Sequence, residues 1–315
     1  MAEVMEIFVY KGLYNLPSID FECLRTISFI RLINAPVTIQ SNGNPYRSPN
    51  GSLPYLKCND EKIAGFTKIV KYLQVKGYDT SSKNGLSPAY TSYLYDNLNP
   101  YLQYFLWGDQ TNSDNTRMLY AKRMIFPLSY YYPQKYAKKV DDLMMSMEQF
   151  SLNDKFEDHS IIGIIVRAKK CLNTLNEKIG SKPYLFQMST EIDATIYAYI
   201  SILYHIPMAN NPIKSHIQEC PNLLQFLDKF GKKFMATELK LYEQDRPNLS
   251  TNDLTNSDAD RLSKHGPKVL SVIVALTVMT AFAIRNGIFR ISSSDDDYDV
   301  SGFENEDDDE TFDES

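Results

Sequence analysis

The sequence predicts an α+β domain, then an all-α domain, then a single membrane-spanning helix. Three observations carry this. Strand-length apolar runs are confined to the first 80 residues, apolar spacing is helical from Ser87 onward, and sixteen uncharged residues, Val269 to Ile284, stand alone near the C-terminus. The expected division is 1–80 for the α+β domain, 87–240 for the helical domain, 241–267 for a flexible linker, 268–291 for the anchor and 292–315 for a disordered acidic tail.

Glu6 to Tyr10 is a short β-prone run, and the turn-forming GLYNLPS follows it. Ser18 is positioned to cap a helix that carries Ile19, Cys23, Ile27, Ile30 and Leu32 on one face. Pro36 ends that helix, and Val37 to Gln40 reads as a second strand. Asn44 to Leu56, dense in Pro, Asn, Ser and Gly, is a loop that delivers Leu53-Pro54-Tyr55-Leu56 into a third strand. A hairpin at Asn59-Asp60 leads into a helix from about Gly65 to Val75, with Phe66, Ile69, Val70 and Leu73 on its apolar face. The first half is therefore βαβ followed by ββα.

Helical stretches fill the second half: Pro88 to Trp107, Asp114 to Leu128, Gln134 to Phe150, Asp158 to Ile179, Glu191 to Tyr204 and Pro221 to Met235. Within it, STEIDATIYAYI carries a capping box. Thr190 is placed to cap the helix, and Asp193, three residues on, can reach back to the cap's N–H.

The run from Val269 to Ile284 is flanked by Lys268 and Arg285. At 1.5 Å per residue it covers roughly 24 Å, short of the ~30 Å hydrocarbon slab, so a buried core helix is the bland alternative. Its apolar character on every face, with Val, Leu, Ile or Phe at nine of the sixteen positions, favours the bilayer. Snorkelling of Arg285 and Arg290 lets the span extend to Ile291. The N-terminus has two early acids and no export or import signal, so the body is expected in the cytosol and the tail across the membrane.

Of the 39 acidic residues, 12 follow Arg290, including Asp295, Asp296, Asp297, Asp307, Asp308 and Asp309; residues 1–290 therefore hold 33 basic against 27 acidic residues, +6, although the whole chain is −6. Such a tail cannot form a packed core. Cys23, Cys58, Cys171 and Cys220 are scattered, with no CxxC, which fits a reducing compartment and no disulfide framework. His216 and Cys220, at i and i+4, are two ligands short of a metal site. No GxGxxG or P-loop occurs, so no cofactor is expected. RAKK (167–170), KYAKK (135–139) and KFGKKF (229–234) read as solvated helix faces rather than nucleic-acid contacts. The 22 tyrosines are mostly core candidates, while any exposed ones favour protein binding.

A small βαβββα domain with a proline entering the third strand, joined to a helical domain with an S/T-x-x-D cap, resembles the glutathione-transferase fold, whose first domain is thioredoxin-like. The segments MEIFVYKGLYNLPSIDFECL, NPYRSPNGSLPYL and KPYLF...STEIDATIYAYI, together with the apolar run and acidic tail, resemble the metaxin family. The resemblance implies that Pro54 is a structural cis-proline. Transferases hold the γ-glutamyl group of glutathione with an acid-Ser pair; here Gly65 and Phe66 stand in those positions. Tyr10, Tyr14 and Ser18 are candidate thiolate-stabilising residues, each equally explained by packing or capping.

The resemblance to metaxins implies a non-enzymatic subunit of the mitochondrial outer-membrane sorting and assembly machinery. Its implied partners are a second metaxin (metaxin-2-like) and the outer-membrane β-barrel insertase, with further links to a cristae-organising complex and kinesin transport adaptors. The rival readings are a tail-anchored glutathione transferase and a mitochondrial fission factor.

Overall fold

The computed structural model describes residues 4–80, 85–153, 160–209, 211–245, 271–272 and 275–280. The chain divides into two units, 1–259 and 260–315.

In the first unit, four strands form one sheet in the order β2-β1-β3-β4: β1 (Met5–Phe8), β2 (Val37–Gln40), β3 (Tyr55–Cys58) and β4 (Glu61–Ala64). β1 runs parallel to β2, pairing Ile7 with Ile39, and antiparallel to β3, pairing Ile7 with Leu56. The parallel pair requires a crossover, supplied by α1 (Phe21–Leu32). The hairpin between β3 and β4 turns at Asn59, whose φ of +52° suits asparagine. α2 (Phe66–Val75) follows and buries the four apolar positions named above.

The N-cap of α1 corrects the sequence reading. Asp20, not Ser18, caps the helix, its Oδ2 accepting from the Cys23 N–H at 3.0 Å. Ser18 is buried and accepts instead from the Asp20 N–H. Both residue types cap well; the helix begins at Phe21, so the carboxylate of Asp20, not the hydroxyl two residues earlier, stands beside the orphan donors.

The helical half comprises α3 (Ser87–Gln103), a π-helical turn (Tyr104–Gly108), α4 (Gln110–Ala121), α5 (Leu128–Asn153), α6 (Ile161–Ile179), α7 (Glu191–His205), α8 (Pro212–Gln218), α9 (Pro221–Phe234) and α10 (Ala236–Asp245). α4 ends before the expected boundary, and α5 begins six residues earlier than expected, with Pro133 inside it. Near a helix start the missing proline N–H costs one hydrogen bond, and buried Tyr132 and Val140 help offset it. α8 is additional to the expected set, and α10 enters the stretch expected to be linker.

α7 is the central helix, buried from Ile192 to Leu203. Thr190 and Asp193 form the capping box, and Asp193 also accepts from the Leu185 N–H at 2.8 Å. α1 packs along α7, with Phe21 against Tyr199 at 4.2 Å between ring centroids. α10 is tied back to α1 by an ion pair between Arg31 and the buried Glu238.

In the second unit, residues 271–272 and 275–280 are helical, and Val272, Leu276, Val278 and Met279 are exposed. Among the described residues no helix is long and apolar enough to cross a membrane. Lys268, Val269, Ile284 and Arg285, the expected ends of the span, lie outside the described residues, as does the tail with Asp295 to Asp297 and Asp307 to Asp309.

Candidate functional site

The place where a transferase-like fold would take its ligand is framed by the loop after β1, the loop entering β3 and the start of α2. The Leu53–Pro54 bond is cis. Asn50 Oδ1 gathers the loop before it, accepting from Ser48 Oγ at 2.8 Å, from the Ser52 N–H at 3.1 Å and from Ser52 Oγ at 2.9 Å. Leu53 then packs inward on Gly43, where an added Cβ would lie 2.6 Å from Leu53 Cδ1 and 2.7 Å from the Val9 carbonyl oxygen. Only glycine tolerates that approach.

At the start of α2, Gly65 has φ +88° and donates its N–H to the Pro54 carbonyl at 3.2 Å. Phe66 is buried, and the Arg25 guanidinium lies 3.6 Å from its ring centroid. That cation is already engaged, with Nε donating to Thr195 Oγ1 at 2.9 Å and a Glu191 oxygen 3.8 Å away. Neither a carboxylate nor a hydroxyl side chain stands at these two positions to hold an amino-acid headgroup.

The loop after β1 is closed from the helical half. Arg123 donates from Nε to the Lys11 carbonyl at 2.7 Å and from Nη2 to the Gly12 carbonyl at 3.3 Å, and anchors itself on the Leu119 carbonyl at 2.6 Å. Tyr10 is 1% exposed; its hydroxyl sits 2.8 Å from that of Tyr136, and its ring packs on Tyr120 at 5.1 Å. Tyr120 donates to Asp20 Oδ1 at 2.9 Å, and Trp107 packs against both Tyr120 and Tyr136.

The electrostatics follow from this closure. Burial pushes the Tyr10 hydroxyl far above the ordinary tyrosine range, the neighbouring Tyr136 adding to it. Burial likewise raises Asp20 and Cys23. A hydroxyl that activates a thiol must face the incoming thiolate and stabilise its charge; Tyr10 faces a tyrosine in the interior. Tyr14 is half-buried at φ +56°, and Ser18 is buried beside the cap.

Metal-binding groupings of three or more His, Cys, Asp or Glu are absent among the described residues. His216 and Cys220 share Asn173 as their neighbour, at 2.8 and 3.8 Å from its Oδ1. All four cysteines are free and buried. Sequence spacing held no signal for Arg123, Tyr120 or Tyr136, because each reaches the first domain across a hundred residues or more of chain.

Residues 23–137, which span α1 to the first turns of α5, match the family model of an outer mitochondrial membrane transport complex protein. Residues 168–230 match the C-terminal domain of glutathione S-transferase. A metaxin-1 homolog of Drosophila melanogaster is 37% identical over 314 residues, covering 96% of this chain and 95% of that protein. The chain belongs to the metaxin family. Metaxin-1 of Mus musculus is 26% identical over 92% of this metaxin and 93% of its own length, and metaxin-3 of Xenopus laevis is 28% identical over 75% and 78%. Glutaredoxin 2 of Salmonella typhimurium in complex with glutathione superposes with a TM-score of 0.45 and 17% identity, over 76% of this metaxin and 98% of the glutaredoxin. The sheet order, the cis-proline and the match over 168–230 give this metaxin a glutathione-transferase-like fold.

Proposed function

We propose that this metaxin is a non-enzymatic subunit of the mitochondrial outer-membrane sorting and assembly machinery, aiding protein import and β-barrel precursor insertion through protein contacts. The closure of the transferase cleft carries the reading: Tyr10 is turned into the interior and Arg123 holds the Lys11 and Gly12 carbonyls. Binding surface is then sought outside the cleft. Tyr46, Tyr130 and Tyr131 are exposed while Tyr132 beneath them is buried, which gives an aromatic surface suited to a protein partner. The partners of this reading are a second metaxin and the outer-membrane β-barrel insertase. The family match and the transport-complex model support the location at the outer membrane.

The apolar run Val269 to Ile284, flanked by Lys268 and Arg285, is the anchor of this reading, within a span of 268–291, the body cytosolic and the tail in the intermembrane space. Exposed Val272, Leu276, Val278 and Met279 on a helical stretch support it.

Affinity purification from solubilised mitochondria is expected to recover a second metaxin and the insertase; recovery of neither would overturn the assembly role. Calorimetry of the purified chain is expected to show no glutathione binding. Loss of both γ-glutamyl contacts removes charge-assisted hydrogen bonds of roughly 1.5 to 3 kcal/mol each. Micromolar affinity would restore the enzyme reading.

A further inference from the structure

A groove of about 420 Å³ opens on the helical half between the segment following α6 and the C-terminal part of α9. Phe230 forms its floor, Tyr184 and Phe234 its half-exposed aromatic walls, and Lys229, Lys232 and Lys233 its rim. α9 is built to present this face: Leu223, Phe226, Leu227 and Phe230 are buried, so the three lysines fall on the outer side within about one turn.

Little on the body neutralises them. Lys232 pairs with Asp228 at 2.8 Å, but both are well exposed, where such a pair is weak. Lys233 donates to the Tyr184 hydroxyl at 2.8 Å and lies 5.4 and 5.1 Å from the Tyr184 and Phe234 ring centroids. Among the described residues no acid pairs with Lys229 or Lys233. Exposed Lys178 and Lys182 precede the Tyr184 wall, and the Lys182 ammonium donates to the Lys178 carbonyl rather than to a carboxylate. The acids close by in sequence are Glu177, Asp228 and Glu238, the last engaged by Arg31.

Cationic ammoniums around half-exposed aromatic rings match the interface of a bilayer, where tyrosine and phenylalanine rest among headgroups and lysines meet lipid phosphates. We infer that this groove docks the body on anionic lipid headgroups of the membrane that holds the chain. The inference rests on the anchor reading above. α9 leads directly into α10, and the chain then continues to the apolar run, so the membrane is the polyanion present at high effective concentration. Each lysine close to an anionic surface is worth about fivefold in binding, so three acting together orient a tethered body without any further contact.

The test uses the full chain reconstituted in vesicles of phosphatidylcholine, with or without about 20% phosphatidylinositol, a content that gives an appreciable surface potential. Lysine acetylation read by mass spectrometry is expected to fall about threefold or more at Lys229, Lys232 and Lys233 in the anionic vesicles, and to recover at roughly 0.5 M salt, where screening is within a few Å. Lys68 and Lys71 on α2 serve as references. In a Lys229→Gln, Lys232→Gln, Lys233→Gln variant, protection at Lys178 and Lys182 is expected to disappear. Carbonate-resistant chain with equal labelling in both vesicle types would overturn the docking while leaving the anchor intact. Chain extracted by carbonate from both would overturn the anchor, and the docking with it. Protection that requires other mitochondrial proteins would make the occupant an acidic polypeptide and overturn the lipid assignment.

Discussion

Asp193 concentrates much of the local chemistry of the helical half into one buried carboxylate, which accepts from the N–H groups of Leu185 and Thr190 and from Thr190 Oγ1. Replacement by Ala would strand two buried N–H donors, a cost of about 2 to 4 kcal/mol, measurable as a lower urea midpoint of the detergent-solubilised chain. Burial pushes the carboxyl up to about 6. The folded state therefore binds this proton more tightly than the unfolded chain does. Its contribution to stability is fully present below the unfolded value near 4 and is lost as pH rises through about 6. Unfolding midpoints of an Asp193→Asn variant are expected to vary less over that window than those of the native chain. Asp193 was legible in sequence because a capping box is a local pattern; its bond to Leu185, eight residues upstream, was not. Ser18 shows the converse. A good capping residue stood two positions from the true cap, and the position of the first helical turn, at Phe21, decided between them.

At the scale of elements, the periodic helices were readable and the short ones were not. α6, α7 and α9 carry long apolar faces, and α9 was expected to within a residue. α8 has only seven residues, starting on Pro212, and what holds it is the burial of Ile213 and Ile217 against neighbours that no local pattern reveals. α10 is mostly polar in sequence; besides Leu239, which packs against the core, it is fastened by Arg31 to Glu238, whose second oxygen is buried with no hydrogen-bond partner. Removing the arginine leaves that carboxylate buried and unpaired. Arg31→Met is expected to lower stability by about 3 kcal/mol or more, while the double replacement Arg31→Met, Glu238→Leu restores much of the loss. A double-mutant cycle by chemical denaturation measures this; a double variant no more stable than Arg31→Met alone would remove the clamp from the account of α10.

Over the whole molecule, a compact body precedes an apolar run and a tail with 12 acids. Deletion of residues 266–315 is expected to shift the chain from the carbonate-resistant to the soluble fraction of mitochondria, apart from what partner contacts retain. A truncated chain still embedded in the membrane would refute the anchor. Changing the tail acids to Asn and Gln is expected to leave membrane insertion and cytosolic partners unchanged and to release salt-sensitive partners on the far side. Unchanged co-purification of every partner would make the tail a solubilising segment alone. Neither the +6 of residues 1–290 nor the tail's acidity constrains the fold, but together they set which surfaces attract and repel.

The sequence by itself determined the order of the strands and of the long helices, the turn at Asn59 and the capping box at Thr190. These are properties of residue type and spacing, encoded within a few turns of chain. The tertiary structure alone decided which side chains of the helical half meet the loop after β1 and the start of α1. Arg123, Tyr120 and Tyr136 reach Lys11, Asp20 and Tyr10 over sequence separations of 112, 100 and 126 residues. No periodicity carries such a pairing, because it exists only once the packing of α1 on α7 has brought the two halves face to face.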